Sequence, residues 1–340
     1  MGRLAWKVSC YLWVLIPVLG WLPGIPQKMS LPWWMGICSI AAISAGISQP
    51  IVRKVRWTGA FLFACLCIFW IHQRQFGASS KWLMGVMVPL VAAHLIAERG
   101  EWAWLKRAII FAATLQFPII AIQKLGLTLP YLTLGPYPWG SVGNRVDLSI
   151  LLGFASILLT GTAAWVFAIA SFLTGSWTGY VIPLLRLAEP FIRKRPVILL
   201  GLFPAALLSY KQIIFHLSPR LKVWESILSW KINAMTGHGF LSFPGGFTYD
   251  DSLSKLIGMR DTHSVWFDWL IRTGVLGAII LAATLIYALR RSIKLNLMPS
   301  FFFVLWVGTW QSLEGRPLLA LLGLVFMVRL QISQEDKCLT

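Results

Sequence analysis

Charge is what this sequence has least of. Only 12% of its 340 residues are Asp, Glu, Lys or Arg, where a soluble domain carries roughly 25%. Acid is scarcest, with 12 Asp and Glu against 30 Lys and Arg. So few polar groups cannot cover a water-soluble globule of this length, which excludes an ordinary soluble protein. Cysteine is nearly absent as well. Cys10, Cys38, Cys65 and Cys67 lie inside apolar runs and Cys338 near the end, with no CxxC. That excludes a disulfide framework and leaves the thiols as small apolar packing groups. There is no HExxH, and His72, His94 and His216 have no partner at metal-ligand spacing. Asp250 and Asp251 are adjacent and read as a solvated loop pair, so no metal site is expected. No internal repeat, low-complexity tract or separate soluble domain is visible.

What is abundant is apolar and aromatic. The chain is 57% hydrophobic with 19 Trp, and its mean hydropathy is +0.72. Indoles prefer the membrane–water boundary, and Trp6, Trp21, Trp33, Trp34, Trp57, Trp70, Trp82 and Trp310 mark the ends of apolar runs. Those runs are 8–22, 31–48, 57–71, 82–97, 108–123, 195–210, 274–289, 298–313 and 317–330, separated by a Gly/Pro-rich loop at 124–146 and by 148–185, which carries no charge. Runs of 15–18 residues reach the roughly 20 needed to cross when their polar ends snorkel. The basic start MGRLAWK and the run to Leu22 lack a small-x-small cleavage site and read as an uncleaved first span.

The net charge of +18 sorts by loop. Seventeen of the thirty Lys and Arg fall in alternate short loops and six in the opposite short loops. This is the positive-inside bias, and it accounts for the charge without nucleic acid. It places the cluster Arg186–Arg195 in the cytoplasm and Arg145 on the other side, so an odd number of crossings must lie between them. Gly161, Gly175 and Gly179 permit breaks, so 148–185 is one tilted helix or three short ones. The expected fold is all-α: one polytopic transmembrane bundle over 1–340, with ten or twelve spans and both termini cytoplasmic.

The longest stretch between spans is 211–262, on the non-cytoplasmic side. Ser218 and Pro219 signal a helix start, and Leu221, Trp224, Leu228 and Ile232 recur at helical spacing up to Gly237, a helix-ending glycine. An irregular segment, LSFPGGFTYDDS, follows. A second amphipathic helix within MRDTHSVWFDWLIRTGVLG then leads into the next span.

Three segments in this order, GSVGNRVDLSILL, SPRLKVWESILSWKINAMTGHGF and THSVWFDWLIRTGVLG, resemble the O-antigen ligase and O-antigen polymerase superfamily. They match its Gly-x-x-Gly-Asn element, its Arg-x-x-x-Trp helix followed by Gly-x-Gly, and its loop histidine with a glycine eleven residues on. The resemblance covers roughly 140–290 and favours twelve spans. It implies an inner-membrane glycosyltransferase that needs no metal or other cofactor. Such an enzyme moves a glycan from undecaprenyl diphosphate to lipid A–core or to another lipid-linked glycan in the periplasm. By motif, His263 corresponds to the histidine that orients or deprotonates the acceptor hydroxyl, and Arg220 to the arginine that holds the diphosphate. Arg145, Lys222 and Arg260, with Asn144 and Trp224 inside the motifs, are candidate substrate contacts. Lys222 and Arg260 also suit lipid headgroups, and His238 reads as a loop residue.

Two positions depart from the family pattern. Where members carry Thr-x-Ser-Arg, this chain reads Thr174-Gly175-Ser176-Trp177, so a second phosphate-binding arginine is replaced by Trp177. Arg272 stands where many members have an acid, and Asp268, four residues earlier, is placed to pair with it. Two other classes compete. A polysaccharide or lipid flippase would keep ionisable residues or broken helices at mid-membrane. A metal-dependent lipid-linked glycosyltransferase would carry acids in its first external loop, yet Pro23–Ser30 has none. The loop assignment is open to direct test: fusions at Gly245 are expected to be active with a periplasmic reporter and silent with a cytoplasmic one. The reverse result overturns the topology.

Overall fold

A computed structural model describes residues 102–127, 140–142, 145–195, 234–237, 248–250, 255–257 and 264–310, together with 323, 325, 326 and 328–330. The apolar runs between 8 and 97, and that at 195–210 beyond its first residue, lie outside the described residues.

The helices are α1 (Trp102–Thr114), α2 (Gln116–Lys124), α3 (Arg145–Leu158), α4 (Gly161–Leu173), α5 (Trp177–Lys194), α6 (Val265–Lys294) and α7 (Met298–Trp310). The described residues are thus helical, in keeping with the all-α expectation, apart from one short hairpin. Thr248–Asp250 (β1) and Lys255–Ile257 (β2) pair antiparallel, Thr248 opposite Ile257 and Asp250 opposite Lys255. Part of the segment expected to be irregular therefore closes as a small hairpin.

The uncharged stretch resolves into three helices, as the charge argument allows. The breaks fall at 159–160 and 174–176, beside Gly161 (φ 66°) and Gly175 (φ 68°). Gly179 is not a break. It lies in the first turn of α5, where a Cβ would collide with the Ser171 carbonyl oxygen, so its lack of a side chain lets α4 and α5 touch. The helices also run further than the apolar runs. Arg186 and Lys194, expected in a loop, continue α5, and Lys106 and Arg107 lie inside α1. A helix satisfies its own backbone groups and so carries past the apolar boundary while long basic side chains reach for the polar layer.

Hydroxyl groups hold the three central helices together. Ser176 Oγ donates to Ser149 Oγ at 2.6 Å, and Ser149 Oγ donates to the Val146 carbonyl at 2.7 Å. Ser171 Oγ donates to the Ser149 carbonyl at 2.9 Å, Thr174 Oγ1 to the Ser171 carbonyl at 2.7 Å, and Ser176 Oγ caps α5 by accepting from Gly179 N at 3.1 Å. All of these side chains are buried. Around this network pack Leu148, Leu152, Ile182 and Phe303, and Gly153 admits the Ile182 and Phe303 side chains.

The contacts fix the helix directions. Trp102 of α1 lies beneath Arg329, while Gln116 of α2 reaches Ser141 just ahead of α3. Ser300 of α7 shares a cleft with Arg186 and Glu189, whereas Phe303 meets Ile182. Numbers rise along α7 as they fall along α5, so the two are antiparallel. Lys106, Arg107, Arg186, Lys194, Arg195, Arg290, Arg291, Lys294 and Arg329 accordingly gather toward one end, and Lys124 and Arg145 toward the other.

Two stretches, Trp102–Lys124 and Val265–Lys294, are long and apolar enough to cross a membrane. Their most apolar windows are only 33% and 28% buried, so they are unlike the core helices of a soluble protein. Ser149→Ala is expected to cost about 0.5–1.5 kcal/mol, because it removes the Oγ that accepts from Ser176 at 2.6 Å and leaves that hydroxyl the longer contact to Thr178 Oγ1 at 3.2 Å. A thermal-unfolding series in detergent that places Ser149→Ala at the wild-type midpoint would remove the network from the account.

Candidate functional site

The first motif forms a braced turn. Gly140 is left-handed (φ 61°) and sits where a Cβ would fall 2.6 Å from Gln116 Oε1. Gln116, the buried first residue of α2, accepts from Ser141 N at 2.9 Å and donates through Nε2 to Ser141 Oγ at 2.9 Å. Gly140 N donates to Gln123 Oε1 at 3.0 Å. The two glutamines thus tie the turn 140–142 to α2 and set where α3 begins. Arg145 is the first residue of α3 and is exposed at this end. Asp147, two residues on, is buried. Asn144 lies outside the described residues.

The Thr-x-Ser element forms the turn between α4 and α5. Thr174 and Ser176 are buried and spend their hydroxyls on the network and the α5 cap. Trp177 opens α5 on the next position, one bond beyond that rigid turn.

The second and third motifs meet at two glycines. α6 is interrupted at Gly274 (φ 61°, ψ −155°), a conformation that is essentially glycine's alone. The break frees N–H groups that a continuous helix would use. Val275 N donates to the Ala234 carbonyl at 2.9 Å and Leu276 N to the Met235 carbonyl at 3.3 Å. Gly237 (φ 72°) lies against the break: a Cβ there would fall 2.5 Å from the Arg272 carbonyl carbon, and one on Gly274 would fall 2.6 Å from Gly237 N. Both glycines are required by this backbone-to-backbone approach, and the helix-ending geometry expected of Gly237 serves it. Asp268 and Arg272 are fully buried beside the junction and each has an interaction partner.

The break also folds the start of α6 back. Residues 275–294 span about 30 Å and the 13-residue α7 about 20 Å. A straight α6 would carry its first residues far past the end of α7. Instead the Trp266 indole lies on Gly308 and donates to the Leu305 carbonyl at 3.2 Å. Gly308 follows Phe303 by as many residues as Trp177 precedes Ile182, so Trp266 stands level with the start of α5. Ser264, buried, caps α6 by accepting from Phe267 N at 3.3 Å.

The structure therefore brings together, at the end away from the basic cluster, the braced turn with Arg145, the 174–176 turn and the start of α6. His263 adjoins Ser264 in sequence but lies outside the described residues, as do Arg220, Lys222, Trp224, Arg260 and His238. Gln116, Gln123, Ser149 and the Trp266–Gly308 contact were not singled out from sequence. Polar side chains inside apolar runs were the available signal for the first three. Among the described residues no three His, Cys, Asp or Glu side chains gather in one place. No protein-family model matches the chain, and no curated protein matches it in sequence.

The glycine junction makes a comparative prediction. Gly161 is also left-handed but has open space where a Cβ would be, so Gly161→Ala is expected to cost only the backbone strain of about 1–2 kcal/mol. Gly274→Ala adds a collision with the Ala234 carbonyl and is expected to cost clearly more. It should also make 234–262 more open to limited proteolysis. Equal effects of the two substitutions would contradict the close approach.

Proposed function

We propose that this protein is an inner-membrane glycosyltransferase of the O-antigen ligase or polymerase type. It has twelve spans, cytoplasmic termini and a periplasmic loop at 211–262. Its donor is a glycan on undecaprenyl diphosphate, and its acceptor is a glycan or lipid A–core. The observation that carries the reading is the convergence of the resembling segments at one end of the helices. Supporting it, the basic side chains gather at the other end, which is the arrangement the positive-inside rule asks of a periplasmic site.

In this reading the acceptor hydroxyl attacks the anomeric carbon, its proton passes to the His263 imidazole, and the bond to the diphosphate breaks. Arg220 takes up the charge growing on that leaving group. Arg145 is an exposed cation at the same end and stands in for the arginine that Trp177 replaces. The Gly237–Gly274 clasp ties 234–237, which follows the Arg220 motif in sequence, to α6, which follows His263. The mechanism requires the two groups to face one acceptor–donor pair.

A flippase is the second reading, favoured by the broken helix at Gly274. Transporters place such breaks near the bilayer midplane. Here the break lies about 30 Å along α6 from its basic end, a full hydrocarbon thickness, which suits an interfacial site better.

The test uses a deletion strain complemented by variants, reading lipopolysaccharide and lipid-linked glycans. His263→Ala is expected to lower transfer about 10²–10⁴-fold at normal membrane level. Arg220→Ala should be comparably damaging, and Arg220→Lys partly restoring, since an ammonium lacks the planar fork. Full transfer by His263→Ala would sink the mechanism. Donor trapped on the cytoplasmic face of the deletion strain would replace it with the flippase.

A further inference from the structure

At the basic end, α3, α5, the turn between α6 and α7, and the helical residues 328–330 enclose a cleft of about 50 Å³. A water needs roughly 10–15 Å³ of such space, so the cleft has room for a group the size of a phosphate. Its wall is mixed: Ile157 and Leu297 on the apolar side, Arg186, Glu189, Ser300 and Arg329 on the polar side.

The charges there are not balanced. Arg186 is fully engaged, donating from Nη1 to Glu189 Oε2 at 2.7 Å, from Nη2 to the Leu159 carbonyl at 2.7 Å and from Nε to Ser156 Oγ at 3.2 Å. That ion pair neutralises Glu189. Among the described residues Arg329 has no such acid. Among the described residues its guanidinium makes one hydrogen bond, Nη1 to Ser300 Oγ at 3.3 Å, and lies over the Trp102 ring at 5.6 Å. Its position is set from behind by Arg291, which donates Nε and Nη2 to the Leu330 carbonyl at 3.2 and 2.9 Å. A preorganised guanidinium with spare donors, facing a small half-apolar cleft, is what a phosphate ester requires.

We propose that this cleft binds the phosphodiester of an anionic phospholipid, with Arg329 as the principal contact and Ser300 Oγ beside it. A lipid is favoured over free phosphate because the helices that wall the cleft also carry exposed apolar side chains near this end, Leu184, Leu187 and Phe191 on α5 and Ile293 on α6. Basic clefts between helices near the membrane surface take headgroups in this way. The site rests on the membrane reading alone and is independent of glycosyl transfer.

The full chain, purified in mild detergent, is to be offered phosphatidylglycerol, phosphatidylcholine or inorganic phosphate and examined by native mass spectrometry and thermal shift. Phosphatidylglycerol is expected to be retained and stabilising, phosphatidylcholine not. Arg329→Gln should lower that retention roughly tenfold, the scale of one lost charge-assisted bond. Arg290→Gln, which removes an exposed charge at the same end, should leave it unchanged. If Arg329→Gln does not fold, Arg329→Lys decides: intermediate retention supports the fork contact, and wild-type retention overturns it. Equal retention of both lipids, equal losses with Arg290→Gln, or stabilisation by inorganic phosphate with no lipid retained would each overturn the proposal.

Discussion

A backbone N–H or C=O in apolar surroundings must find a partner inside the protein. This constraint bears hardest at Gly274, where α6 breaks in the course of a 30-residue apolar helix. The freed N–H groups of Val275 and Leu276 are taken by the carbonyls of Ala234 and Met235. The segment 234–237 is therefore a structural part of α6, tied to it despite the sequence between them. Because the break turns the start of α6 back over α7, it also brings Trp266 onto Gly308 and Ser264 level with the start of α5. Without the break, the candidate site would be spread along a rod.

The same requirement shapes the central helices. Where α4 turns into α5, buried hydroxyls of Ser149, Ser171, Thr174 and Ser176 satisfy one another and the nearby carbonyls. Where the chain approaches α3, Gln116 and Gln123 serve the turn at 140–142. Each polar group in these otherwise apolar helices holds a place where the backbone leaves the helix. The two turns so fixed flank the proposed site. At the opposite end Arg186, Arg291 and Arg329 donate to carbonyl and hydroxyl oxygens, so the positive charge gathered there also closes the bundle.

The extent of helix was legible from hydropathy alone. The run at 108–123 appears within Trp102–Lys124, 274–289 within α6, and most of 298–313 as α7. The charge argument required an odd number of crossings in 148–185, and three helices are found. Boundaries were less legible, since a helix does not stop where its apolar residues do; hence Arg186 and Lys194 fall on α5. The hairpin at 248–257 was missed because three-residue strands leave no alternation long enough to read. Of the site, the glycines were visible as motif members, but the braces were not: one Gln in an apolar run carries no mark of the turn it will serve.

Composition and pattern by themselves determined that the described part of this chain is helical, where the apolar stretches lie and how the basic residues alternate. These properties follow from transfer energies and local backbone preference, which depend on neighbours in sequence. Only the tertiary structure decided that Gly237 lies against Gly274, that Gly179 is a contact while Gly175 is a break, and that Arg145, Ser176 and Ser264 share one end. Those outcomes depend on which distant backbone groups satisfy each other once a helix is interrupted. That choice is made by packing between segments far apart in the chain.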